Sequence, residues 1–326
     1  MIVIDWISTP DHRNFNRAFF GAINHKVANC FVFSEKLVIP GVKCEFLEAP
    51  ESRLRRALYV IRLISTHRDL NILLLTYDPL LLPLALLFGH QIIVFEHNTT
   101  PEQDSWLKEL WQRVLFRKVC RLAQFRGQYE RLDAMGQRVT YIGSPLNQID
   151  MKSSFRNTSN IYAAPSYRAD AELIYKYANI LAGSEVLVKK LPDGKSHTES
   201  FSGVKLSPVK WIDFQHPKGS FKAILITVDS RIRGTGWFND AISNNVPIVV
   251  LSAKACLLFQ ETFPDYPFVD ISNLTNSNDL EKALRGSKGF HGSKYISKHN
   301  NIIEERFSRF IQDLNSVKKT NASRLH

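Results

Sequence analysis

Short apolar runs alternate with stretches of helical periodicity from the first residues onward. Ile2 to Ile7, Asn29 to Phe33, Val42 to Phe46, Asn71 to Thr76, Gln91 to Phe95 and Val139 to Ile142 read as strands, and Phe15 to Lys26, Leu54 to Thr66, Leu80 to Phe88 and Trp106 to Arg126 as helices. Unbroken apolar runs suit strands buried on both faces, and the intervening helices supply the cover, so the pattern predicts a parallel sheet flanked by helices. From Asn147 to Asn160 the apolar runs give way to Asn, Ser, Gln and Lys, the composition of a linker. A second alternation follows. Ile161 to Ala164, Glu185 to Val188, Val209 to Phe214, Ala223 to Val228 and Val246 to Leu251 read as strands, with helices over Ala169 to Leu181 and Trp237 to Asn244. Leu280 to Arg285 and Ile296 to Leu314 close the chain as polar, surface-lying helices. This gives domains at 1–147 and 158–290, a linker at 148–157 and a helical segment at 291–326. Open α/β sheets place their ligand crevices at the carboxyl ends of their strands, so the loops there are where function is expected.

Composition narrows the picture. At 326 residues, with 44% hydrophobic and 22% charged content, the chain can bury the cores of two ordinary domains. A formal charge of +11 points to an anionic partner: nucleic acid, an acidic membrane surface or a phosphorylated small molecule. The most apolar stretch, Asn71 to Phe95, is interrupted by Asp78, Pro79, Pro83, Gly89 and His90, whereas a spanning helix needs about 20 largely unbroken apolar residues. Met1 to Asp5 runs straight into polar sequence without the basic start and apolar centre of a secretory signal, so a cytoplasmic location is expected. Cys30, Cys44, Cys120 and Cys256 form no C-x-x-C pair and read as reduced, buried thiols.

The most informative stretch runs from Ala223 to Leu251 and reads strand, glycine loop, helix, strand. Backbone N–H groups of Arg233-Gly-Thr-Gly-Trp237, with the following helix, suit a diphosphate. Asp240 falls one helical turn beyond Gly236, where a carboxylate can accept hydrogen bonds from ribose hydroxyls. The bland alternative is a glycine turn before an ordinary amphipathic helix. Gly234-Thr-Gly236 lacks the third glycine of a dinucleotide fingerprint, and Gly194-Lys-Ser196 lacks the first glycine of a phosphate loop because Lys189 stands there. There is no D-x-D pair and no H-x-x-x-H or H-E-x-x-H spacing, so no metal site is expected.

Gly-Thr-Gly-Trp-Phe-Asn-Asp-Ala followed by Asn-Asn-Val-Pro-Ile resembles the donor-nucleotide motif of GT-B glycosyltransferases. The resemblance implies an α/β fold of two Rossmann-like domains facing each other across a cleft, with a nucleotide diphosphate sugar as donor substrate and no cofactor or metal. It departs from the family at Asp240, where Glu is usual, and at Ile232, where retaining enzymes with paired acids carry the earlier one, so the stereochemical outcome stays open. Phe95-Glu-His-Asn-Thr-Thr-Pro101 resembles the segment in which a histidine after a strand touches the donor sugar. This makes His97 a catalytic candidate, with Glu96, Asn98 and Thr99 beside it and Asp78 as support. His97 could equally be satisfied by neighbouring carbonyls.

The first loop, Ser8 to Asn16, lies where the family meets acceptor and diphosphate. Asp11 is the candidate general base, with His12 as a second choice and Asn14 nearby; the plainer reading is that Asp11 caps the helix. Ser166, Tyr167 and Arg168 resemble the donor-phosphate loop, where Arg would neutralise charge on the leaving diphosphate. A similar Ser-aromatic-x-x-Asp stretch occurs in the inverting chitobiosyl-lipid mannosyltransferases. Phe214 lies in the strand and loop where the family grips the base, although aromatic residues on strands are more often core.

Basic residues gather at Arg53, Arg55, Arg56 and Arg62 and at Arg113, Arg117, Lys118, Arg121 and Arg126, the second group among Trp106, Leu110, Trp111, Val114 and Leu115. Arg113, Arg117 and Arg121 recur every four residues as one helical stripe, suited to anionic lipid headgroups or simply to solvent. No helix-turn-helix, RNP or zinc-finger pattern supports nucleic acid. The resemblance, with the basic surface, implies hexosyl transfer to a glycan or lipid-linked acceptor in assembly of a surface glycan such as lipopolysaccharide, capsule or exopolysaccharide. A nucleotide-sugar 2-epimerase of the same fold and a non-catalytic sugar-nucleotide- or glycan-binding subunit are the alternatives. The sequence leaves the oligomeric state undetermined.

Overall fold

A computed structural model of the chain describes residues 1–5, 12–23, 29–32, 43–46, 52–67, 70–76, 91–97, 106–147, 160–165, 171–188, 198–209, 221–232, 237–287 and 292–323. They group into two units, Met1–Pro145 with His299–His326, and Leu146–Lys298.

The first unit contains β1 (Ile2–Asp5), α1 (His12–Ile23), β2 (Asn29–Val32), β3 (Cys44–Phe46), α2 (Arg53–Thr66), β4 (Ile72–Leu74), β5 (Ile92–Glu96), α3 (Trp106–Leu115), β6 (Cys120–Ala123), α4 (Arg126–Ala134) and β7 (Arg138–Tyr141). Its strands pair in parallel in the order β3-β2-β1-β4-β5-β6-β7. Successive strand residues point to opposite faces, and both faces are covered. Val3, Leu73, Ile93 and Phe95 meet Phe19, Phe20 and Ile23 of α1 on one side. On the other, Ile2, Ile4, Ile72, Leu74 and Val94 meet Ala57, Val60 and Ile64 of α2 together with Phe116 and Val119.

Two expectations are corrected in this unit. Cys30 and Cys44 are bonded to each other rather than reduced: they stand opposite one another on the neighbouring strands β2 and β3, with Cα atoms 4.7 Å apart. Cys120 and Cys256 are free and buried, and burial pushes their thiols up to about 11 and about 12. The single helix expected over Trp106 to Arg126 instead stops at Leu115, because Phe116 and Val119 turn into the core and Cys120–Ala123 inserts as a strand between β5 and β7. Arg121 therefore lies inside the sheet, fully buried, and the stripe through Arg113, Arg117 and Arg121 does not exist.

The second unit contains β8 (Ile161–Ala164), α5 (Ala171–Lys176), β9 (Glu185–Val188), β10 (Glu199–Phe201), β11 (Val204–Pro208), β12 (Ala223–Ile226), α6 (Trp237–Ser243), β13 (Ile248–Val250), α7 (Ala253–Thr262), β14 (Val269–Asp270) and α8 (Ser277–Gly286). The order is β10-β11-β9-β8-β12-β13-β14, with β10 antiparallel to β11 and the other pairs parallel. Ser202 and Gly203, at φ 47° and 81°, supply the two left-handed residues that a tight hairpin between β10 and β11 requires. Most of the strand expected over Val209 to Phe214 falls outside the described residues, and β11 ends just before it. Tyr162, Val186, Leu206, Leu225, Val249, Leu280 and Leu284 belong to this unit's core.

The last helix, α9 (Gly292–Ser323), divides between the units after Lys298. In the second, the Tyr295 hydroxyl donates to the Pro264 carbonyl at 3.0 Å. In the first, Ile303, Phe307 and Phe310 join the core around Phe19. Here α9 also grips the segment after β7. Arg306 donates to the Ile142 carbonyl at 3.3 Å and His299 Nε2 lies 2.9 Å from the Ser144 carbonyl. Gly143 sits between them at φ 103°, where a side chain would meet Ile303 and Arg306 in a conformation that only glycine adopts cheaply. Among the described residues no helix is long and apolar enough to cross a membrane.

Candidate functional site

Parallel strands end together, so the residues just past β1, β4, β5 and β6 gather along one edge of the first sheet. Asp5, the last residue of β1, is fully buried and accepts two hydrogen bonds, from Asn16 Nδ2 at 2.7 Å and Thr76 Oγ1 at 2.6 Å. These bonds tie α1 and the end of β4 to β1. Asp11 lies outside the described residues. His12 and Asn14 occupy the first turn of α1, where the backbone is described but their side chains are not.

At the end of β5, Glu96 takes a role the sequence did not indicate. It has no exposed surface and accepts from Arg121 Nε of β6 at 2.6 Å. Arg121 also donates to Gln112 Oε1 of α3 at 2.9 Å and packs over the Phe116 ring. Glu96 is thus corrected from a substrate contact to an internal tie holding β5, β6 and α3 together. A buried carboxylate next to a guanidinium is tolerated because the two charges offset each other and Arg121 donates to both Glu96 and Gln112.

His97 follows directly and is half-buried. Its ring packs edge-on to Phe15 with centroids 4.4 Å apart and lies 5.6 Å from Phe95. Nδ1 lies 2.9 Å from Gln124 Nε2, just past β6, and the His97 carbonyl accepts from Gln128 Nε2 at 3.0 Å. Gln128, in the first turn of α4, also accepts the Gln124 and Phe125 backbone N–H groups at 3.1 and 3.2 Å. That satisfies two donors at the helix start and fixes the Gln124 backbone. Gln124 and Gln128 went unnoticed in the sequence because β6 was read as helix. The signal was Gln124-Phe-Arg-Gly-Gln128, polar residues directly after an apolar run beside the His97 strand. Asn98 and Thr99 lie outside the described residues.

In the second unit β12 and α6 bracket residues 227–236, of which 227–232 are described, and β12 and β13 pair in parallel. Gly234, Thr235, Gly236 and Arg233 lie outside the described residues. Trp237 and Asp240 are placed on α6 by its backbone alone. Ser166, Tyr167, Arg168 and Phe214 also lie outside the described residues; β8, which leads toward the first three, sits at the sheet centre beside β12. The described part of the β12 exit is anchored on α7. Asp229 pairs with Lys254 at 3.1 Å, Arg231 with Glu261 at 2.5 Å, and Ser252, which caps α7 by accepting from Ala255 N at 3.1 Å, donates to the Val228 carbonyl at 3.4 Å. Among the described residues no cluster of His, Cys, Asp and Glu could hold a metal ion.

No protein-family model and no curated protein matches the chain by sequence. Solved structures do match it in fold. A glycosyltransferase from Rickettsia africae ESF-5 aligns with a TM-score of 0.58 at 7% identity, over 96% of this chain and 98% of its own. UDP-N-acetylglucosamine 2-epimerase from Rickettsia bellii aligns at 0.51 and 11% identity, over 98% of both chains. TarM aligns at 0.50 and 14% identity, over 79% of this chain and 57% of its own. With its two seven-stranded, mostly parallel sheets, the chain has the two-domain α/β architecture of the GT-B fold.

Proposed function

We propose that this protein is a glycosyltransferase that moves a hexose from a nucleotide diphosphate sugar to a glycan or lipid-linked acceptor in surface polysaccharide synthesis. The observation that carries this reading is the full-length GT-B fold, shared with a glycosyltransferase, combined with the Gly-Thr-Gly sequence between β12 and α6. In this reading the amides of Gly234, Thr235 and Gly236, with Arg168 and Arg233, stabilise the departing diphosphate. Asp240 holds the ribose, Phe214 and Trp237 flank the nucleotide, and Ser166 and Tyr167 contact phosphate. His97, Asn98 and Thr99 orient the sugar, while Asp11, with His12 and Asn14 nearby, activates the acceptor hydroxyl. No step requires a metal.

A thermal-shift screen against UDP, GDP, CDP and their sugars tests the donor half. A binder at 100 times its dissociation constant stabilises by about 2.7 kcal/mol. No shift with any of them would remove the proposal's foundation. Transfer by Asp11→Ala, His97→Ala and Asp240→Ala variants then tests the roles. The 2-epimerase reading is favoured by the likeness to the Rickettsia bellii enzyme and predicts free sugar and nucleotide without a glycoside.

We place the acceptor at an anionic membrane surface, with the enzyme peripheral on the cytoplasmic face. Leu54 and Leu58 on α2 and Trp106, Leu110 and Val114 on α3 are exposed large apolar residues, each set spaced one turn apart. Exposed Arg53, Arg55, Arg62, Arg113, Arg117 and Lys118 stand among or just after them, and α2 carries no acidic residue. α2 and the end of α3 pack on the same face of the first sheet. Each basic residue near an anionic surface contributes about 1 kcal/mol. Cosedimentation with phosphatidylglycerol-containing vesicles, absent with neutral vesicles and lost in a Trp106→Ser, Leu110→Ser variant, is the expected result.

A further inference from the structure

We infer that Gln124 is a positioning residue that holds His97 as a neutral imidazole with its proton on Nε2, so that His97 serves as a hydrogen-bond donor and not as a base. The inference rests on the proposed role of His97 as the sugar-contacting residue and specifies what that residue can do.

The argument starts from the inventory of donors and acceptors. The Gln124 side chain has one acceptor end and one donor end, and its surroundings use both. Its amide oxygen faces the Ser144 hydroxyl at 3.4 Å and its amide nitrogen faces His97 Nδ1 at 2.9 Å. An amide nitrogen only donates, so with the Gln124 amide in this orientation Nδ1 presents its lone pair, and a neutral ring then carries its proton on Nε2. This fixed state has structural support on every side. Gln128 clamps the Gln124 backbone N–H and the His97 carbonyl with opposite ends of one side chain, at 3.1 and 3.0 Å. Because its oxygen accepts backbone N–H groups, the orientation of the Gln128 amide is determined. Phe15 and Phe95 hold the plane of the imidazole. Ser144, which engages the oxygen end of Gln124, is itself held through its carbonyl by His299. A histidine whose Nδ1 is occupied by a donor is poorly placed to accept a proton there, because two N–H groups would then oppose each other. The ring's donor is then Nε2–H.

The test reads the tautomer directly on the full chain. Protein labelled with ¹⁵N-histidine, with the His97 signals assigned through a His97→Gln variant, is expected to give the Nε2–H pattern of nitrogen shifts. Gln124→Glu replaces the donor with a carboxylate acceptor and is expected to convert His97 to a ring protonated on Nδ1. Gln124→Leu is expected to leave a mixture of tautomers. An Nδ1–H tautomer in the unaltered protein, or a His97 pattern indifferent to both substitutions, would overturn the inference. Because this readout needs no substrate, it stands or falls separately from the glycosyltransferase reading. Where transfer is observed, Gln124→Glu is expected to lower kcat by about tenfold, the worth of one well-placed hydrogen bond, with KM little changed.

Discussion

The two sheets treat charge at their strand ends in opposite ways. In the first unit, Asp5 and Glu96 terminate neighbouring regions of the sheet with no solvent exposure, each bound to polar partners on other elements. In the second, the segment leaving β12 carries Asp229 and Arg231, whose partners Lys254 and Glu261 lie on α7, with 63% and 49% of the Lys254 and Asp229 side chains exposed. An internal pair fixes geometry because neither member can be lost without leaving a bare charge in the core. An exposed pair exchanges readily with water and ions. The first sheet edge is therefore built to hold one arrangement of side chains, while the Asp229–Lys254 pair of the second is held only loosely.

The strongest way to break this comparison is Arg121→Met. It removes the guanidinium bonded to Glu96 in the interior and is expected to cost about 3–5 kcal/mol in chemical denaturation. Adding Glu96→Leu should recover much of that loss, since the uncompensated charge is then gone. A cost below about 1 kcal/mol for the single variant would mean that the pair is no more than a surface contact.

Next in size is the pH response of His299. Burial holds this imidazole down at about 4, with the nearby Arg306 acting in the same direction and the bond to Ser144 opposing both. Its folded value is depressed below the ordinary 6.5, so the unfolded chain takes up the proton first. Stability is complete above about pH 6.5 and falls as pH drops toward 4, by about 3 kcal/mol in all. Denaturation midpoints between pH 7 and pH 4 measure the loss, and His299→Gln should flatten that part of the profile.

Much of the fold was legible because apolar runs report burial on both faces of a parallel sheet. Ile161 to Ala164 and Glu185 to Val188 coincide with β8 and β9. β6 was illegible for a definite reason: Cys-Arg-Leu-Ala carries a charged residue at a fully buried position, and the spacing of Arg113, Arg117 and Arg121 imitates a helix. The charge is tolerated only because Glu96 waits on the neighbouring strand, a long-range fact that local periodicity does not contain. The same gap hid Gln124 and Gln128. His97 stands out in the sequence as a candidate from its place at a strand end, yet its partners do not, since hydrogen bonding across strands depends on their order in the sheet. Most of the expected donor-site residues lie outside the described ones.

A smaller effect is expected at Thr227, where β12 ends. Its hydroxyl oxygen is buried and, among the described residues, has no hydrogen-bond partner. Thr227→Val removes a desolvated polar group at nearly constant volume, and a gain of about 1 kcal/mol in denaturation experiments is expected.

The smallest effect is expected at Lys254, and it sharpens the comparison most because it tests the exposed side. The ammonium lies 3.1 Å from Asp229, but both side chains reach water, so the attraction is screened and holding the long side chain in place costs entropy. Lys254→Ala should change stability by no more than about 0.5 kcal/mol, and raising the salt concentration should erase even that. The substitution nevertheless removes one anchor of the segment that precedes Gly234-Thr-Gly236, and under the proposed function its consequence falls on nucleotide affinity. A loss of 2 kcal/mol or more in stability would mean that this edge is as rigid as the first, and the contrast between the sheets would fail.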